Sequence, residues 1–163
     1  MLDGSDVTFL LRCGEHRIMS VAVRVGSRLP AHLTAIGRAL LAWLSEDELS
    51  AYLAQLKFTS HTARTVRSTE HLRASLLKVR ADGFAVVEQE LEEGLSAIAA
   101  PVRDRRGRVV AAVNVSIPDS GRVQQHEEIP TAATALLRAT AQIGLDLHPS
   151  HLSWPNSTAS PAW

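Results

Sequence analysis

The sequence has a single cysteine, Cys13. That excludes an internal disulfide and a cysteine-built zinc site, and a reducing, cytoplasmic compartment is the simple expectation. Aromatic residues make up only 4% of the chain, so the core must be assembled from Leu, Val, Ile and Ala. Charge of one sign is also missing, because seventeen basic residues face seventeen acidic ones. A surface that grips nucleic acid carries a basic excess, and this chain has none. No apolar run approaches the ~20 residues of a membrane span. The opening MLDGSD lacks the basic-then-apolar order of a secretory signal. The seven histidines form no H-x-x-x-H or H-E-x-x-H pair, so neither a metal nor a cofactor is expected.

What is present suffices for one globular domain. The 163 residues are 45% hydrophobic, and a chain of this size can bury roughly 70% of its unfolded surface. Residues 6–13 read as a strand, and 16–25, with Ile18, Val21, Val23 and Val25, as its hairpin partner. GSRLP, 26–30, reads as a loop. Residues 32–44 have helical spacing, with Thr34 placed to cap, and SEDE, 45–48, is a capping box that opens a second short helix. Residues 57–68 are polar and loop-like. A third helix over 69–81 should stop at Gly83. FAVVEQE, LSAIAAPV and RVVAAVNVSI then read as three strands joined by turns at EEG and RDRRG. Pro130 suits the first turn of a last helix reaching about Leu147. The Pro- and Ser-rich 148–163 is expected to be a disordered tail, which leaves 1–147 as the domain. Strands joined by short turns, with helices gathered beside them, give an α+β fold.

Three stretches carry chemistry. Glu88, Glu90, Glu92 and Glu93 crowd one strand end. Residues two apart on a strand share a face, so Glu88 and Glu90 could serve as an acid/base pair in a small enzyme. No nucleophile system accompanies them, which favours the rim of a ligand site. LTAIG, 33–37, offers a helix start whose unpaired N–H groups suit a carboxylate, with small residues that let a ligand approach. Asn114 and Ser116 alternate with Val113, Val115 and Ile117, so they face either water or a polar pocket. A module that only self-associates through apolar strands is a third reading.

The blocks VGSRLPAHLTAIGRALLAWLSEDEL, 25–49, and VRADGFAVVEQELEEGLSAIAAPVRDRRGRVVAAVNVS, 79–116, resemble the effector-binding domain of IclR-family transcriptional regulators. The likeness covers about residues 5–147. HRIMSV and QELE look most like the subgroup that controls aromatic-acid catabolism through the β-ketoadipate pathway. The resemblance implies a GAF/profilin-like domain, with a curved antiparallel sheet and helices packed on one face. It implies a noncatalytic sensor of a small organic acid that forms homodimers or homotetramers. DNA would be reached only through a winged helix-turn-helix, which does not precede the domain here. The pocket it implies is bounded by Ala35, Ile36, Glu88, Ala97, Asn114 and Ser116. Relatives carry Asp where this chain has Glu88, and Arg-Ser where it has Ser96 and Ala97, so the ligand's identity stays open.

Overall fold

The computed structural model describes residues 1–13, 23–118 and 122–147. The elements run β1 (Leu2–Asp3), β2 (Asp6–Thr8), β3 (Arg28–Pro30), a 3-10 turn (Ala31–Leu33), α1 (Ala35–Leu41), α2 (Glu46–Gln55), α3 (Thr69–Asp82), β4 (Ala85–Glu88), β5 (Leu95–Arg103), β6 (Val109–Pro118) and α4 (Arg122–Asp146). The class is α+β. The described strands form two antiparallel sheets of three, ordered β1-β2-β3 and β4-β5-β6. No helix among the described residues is long and apolar enough to cross a membrane.

Helix ends follow local chemistry. The Thr34 hydroxyl accepts the Gly37 N–H at 3.1 Å and starts α1. Ser45 and Glu48 form the reciprocal capping box at α2. Gly83 closes α3 in the left-handed conformation, φ 82°. Gly37 marks a close approach: a Cβ there would run into the Ala31 carbonyl, so α1 rests directly on the turn before it.

Four expectations change. The strand expected over 6–13 is confined to β2, while most of its expected partner lies outside the described residues. The expected loop at 26–30 supplies β3, because Arg28–Pro30 pairs with β2 from Asp6↔Pro30 to Thr8↔Arg28. The Arg28 guanidinium then bridges Asp3 and Asp6. The last helix starts at Arg122, leaving Pro130 in its interior. A missing N–H is tolerated there because Ala133 and Leu136 bury against the sheet. Finally, helices cover both faces of the second sheet. Ala85, Val87 and Ala99 pack with α1 and α3, while Ile98, Ala100 and Ile117 pack with Ala133 and Leu136 of α4. Apolar residues on successive positions of β5 leave neither face fit for water.

Candidate functional site

A cavity open to solvent on one side lies between the start of α1 and the α1-facing side of the second sheet. Thr34, Ala35 and Ile36 form one wall. Ala97, Asn114 and Ser116 form the opposite wall, beside Val87. The register explains that wall: Ala97 pairs with Ser116, Ala99 with Asn114 and Val87 with Ala97, so these side chains share a face. Phe9, Leu29, Leu33 and Leu95 give the rest an apolar lining.

The polar groups are few. Asn114 Nδ2 donates to Ser116 Oγ at 3.4 Å, which fixes the amide's direction along the strand. Ala35 and Ile36 supply first-turn N–H groups, which have no acceptor within a helix. No lysine, arginine or histidine lines the cavity among the described residues.

Five of the six residues named from sequence therefore meet in one place. Glu88 does not. Strand alternation turns Val87 to the cavity and Glu88 to the opposite side, where it is exposed beside Arg64, Lys78 and Asp82. Nor do Glu88 and Glu90 share a strand face. Gln89, at φ 55°, ends β4 and turns the chain. Glu90 is thereby brought to Arg38, with Oε2 2.6 Å from Nη2.

Sequence reasoning missed this ion pair. Arg38 is buried within an apolar helix, and its three donor groups are all used. Nε donates to the His32 carbonyl at 2.9 Å, Nη1 to Ser75 Oγ at 3.2 Å and Nη2 to Glu90. Glu90 Oε2 also accepts the Val66 N–H at 2.9 Å. Thr65 and Thr62 hydroxyls donate to the Glu90 and Gln89 carbonyls at 2.7 and 2.6 Å. The polar 57–68 segment is thus bolted to the cavity wall. The available signal was one arginine amid RALLAW, since a lone cation on a buried face requires an anion.

His32 sits just before α1, buried, edge-on to Phe58 at 5.8 Å between ring centroids. Neither ring nitrogen has a partner among the described residues. Burial, helped by the Arg38 and His61 charges, pushes its pKa down to about 4. The folded value lies below the unfolded 6.5, so acid favours unfolding. Stability from neutral His32 is full above pH 6.5 and is lost as pH falls towards 4. His32→Phe should flatten that part of the pH profile. Parallel urea curves of the two proteins at pH 7.5 and 4.5 check this, and an unchanged pH dependence in the variant contradicts it.

Comparison with known proteins agrees with this architecture. The family described as bacterial transcriptional regulator IclR C-terminal matches residues 1–144. The Pca regulon regulatory protein of Pseudomonas putida is 43% identical over 127 residues, covering 77% of this chain and 43% of its own. A transcriptional regulator from Rhodococcus sp. RHA1 superposes at a TM-score of 0.80, with 42% identity, 90% of this chain and 59% of that one. The C-terminal domain of E. coli KdgR gives a TM-score of 0.75, with 35% identity, 88% of this chain and 82% of that one. The chain spans about half the length of the curated relatives it matches. Those relatives are transcriptional regulators, not enzymes. The chain belongs to the IclR family of bacterial transcriptional regulators, as that family's C-terminal, effector-binding domain.

Proposed function

We propose that the cavity holds a small organic acid, with aromatic acids the leading class. Its carboxylate meets the N–H groups of Ala35 and Ile36, and Asn114 and Ser116 bond its polar substituents. The body of the ligand lies against Ala97 and Leu95. The observation that carries the reading is the convergence of those five residues on one largely apolar cavity. The likeness of HRIMSV and QELE to the β-ketoadipate subgroup, and the Pca regulon relative, support the ligand class.

Occupancy then matters only through a difference in affinity between two arrangements of the whole protein. That protein works in the cytoplasm, as a homodimer or homotetramer, and touches DNA through a winged helix-turn-helix outside this chain. Exposed Val115 on β6 and Leu137 and Leu145 on α4 support self-association. Light scattering at tens of micromolar should give a mass above the 17.7 kDa of one chain. A clean monomer contradicts that part.

A thermal screen tests the cavity. At one hundred times its dissociation constant, a ligand stabilises by roughly 2.7 kcal/mol. For this size of chain that raises the melting point by roughly 5–10 °C. Ser116→Val keeps the strand and removes the hydroxyl, so the shift should shrink, and Asn114→Leu should act alike. A broad panel of aromatic and dicarboxylic acids that moves nothing overturns the assignment, as does a real shift that both variants leave intact.

A further inference from the structure

Glu90 is among the residues that line both the cavity and the open depression on the other side of the sheet. Among the described residues, only one of its carboxylate oxygens has a donor. Oε2 accepts from Arg38 and from the Val66 N–H. No donor among the described residues reaches Oε1. Arg38 in turn gives three of its five N–H donors to the His32 carbonyl, Ser75 and Glu90, and it is not among the residues that line the cavity. With no cationic side chain on the described cavity wall, and Glu92 on it beside Glu90, a second ligand carboxylate would meet carboxylates and no counter-charge. A ligand hydroxyl would instead meet a pre-positioned acceptor.

The first-turn N–H groups of Ala35 and Ile36 present donors to the cavity, and Glu90 lines the same cavity as an acceptor.

We propose that Glu90 is the residue that sets ligand class, its Oε1 accepting from a hydroxyl, so that the cavity takes hydroxylated monocarboxylates and rejects dicarboxylates. This rests on the reading that the cavity holds an organic acid. Discrimination of this kind is steep, because an analogue without the hydroxyl leaves a desolvated carboxylate oxygen unpaired.

The test is isothermal titration calorimetry on the full chain with benzoate, 3- and 4-hydroxybenzoate, their methoxy counterparts, and the 1,3- and 1,4-benzenedicarboxylates. One hydroxybenzoate should bind about tenfold or more tighter than benzoate and than its methoxy analogue, with the dicarboxylates weakest. Glu90→Gln should narrow the hydroxyl preference and relax the exclusion of dicarboxylates. Because that change strands Arg38, Arg38→Met with Glu90→Gln provides a second background in which the same two effects should be seen. Equal binding of hydroxy and methoxy acids, dicarboxylates binding as well as hydroxybenzoates, or selectivity unchanged in a folded variant overturns the role of Glu90 and leaves the cavity reading standing. No binding by any benzoate overturns both.

Discussion

Arg38→Met should cost about 3–5 kcal/mol, the usual effect of removing one partner from a buried ion pair. Domains of this kind carry about 5–15 kcal/mol in total, so the loss takes roughly a fifth or more of the stability. Methionine fills much of the same volume, so the effect isolates charge and hydrogen bonding rather than a cavity. The substitution leaves the Glu90 carboxylate, only 12% exposed, with the Val66 N–H as its one donor among the described residues. It also strips donors from the His32 carbonyl and Ser75. Removing both ends behaves differently. Arg38→Met with Glu90→Leu replaces charges by apolar groups, and such exchanges are often close to neutral. Urea unfolding of the single and double variants separates the two. A single variant within about 1 kcal/mol of the parent contradicts the network, because surface ion pairs are worth no more than that.

The network also explains where sequence reading stopped. Signals confined to a few residues were legible. Thr34, the Ser45–Glu48 box and Gly83 each satisfy helix-end groups within one turn, and each sits where its spacing predicts. The three strands and two turns between residues 85 and 118 were legible because their apolar runs are broken by turn residues. Partnerships across the chain were not. Arg38 and Glu90 lie 52 residues apart, and no periodicity joins them. β3 is strand-like only because Asp6 to Thr8 lie alongside it.

The error at Glu88 has a narrower cause. Glu88 was placed at the pocket by the resemblance, and alternation could not check it: in FAVVE, Val86 and Val87 are both apolar, which leaves two phases for the strand with opposite faces. The pairings Ala85↔Ala99 and Val87↔Ala97 select the phase, and they place Val87 rather than Glu88 on the cavity. Alternation with Val113, Val115 and Ile117 put Asn114 and Ser116 on one face but left water or pocket open; the resemblance implied the pocket and Ala97, and the pairings Ala97↔Ser116 and Ala99↔Asn114 turn that face to the cavity. Pro130 misled for a related reason: its preference for a first turn is local, while the packing of Ala133 and Leu136 that carries the helix through it is not.

Gly37→Ala should destabilise the domain by about 3 kcal/mol, at the upper end of what overpacking usually costs. The sign is the informative part. Within a helix, Gly→Ala ordinarily gains about 1 kcal/mol. Here the new methyl would meet the carbonyl oxygen, carbonyl carbon and Cα of Ala31, all backbone atoms that cannot rotate away. Relief requires α1 to lift off the 3-10 turn. That movement would shift Ala35 and Ile36 relative to Leu33, and all three line the cavity. The variant should therefore lose stability and ligand-induced stabilisation at once. Gly94→Ala separates this clash from backbone strain: Gly94 has φ 76° with open space around it, so only the left-handed conformation is penalised, at about 1–2 kcal/mol. Urea curves of the two variants, each with and without a bound acid, read both effects. A Gly37→Ala protein as stable as the parent would mean that α1 can leave Ala31 freely, and the cavity wall would then not be held in place by that contact.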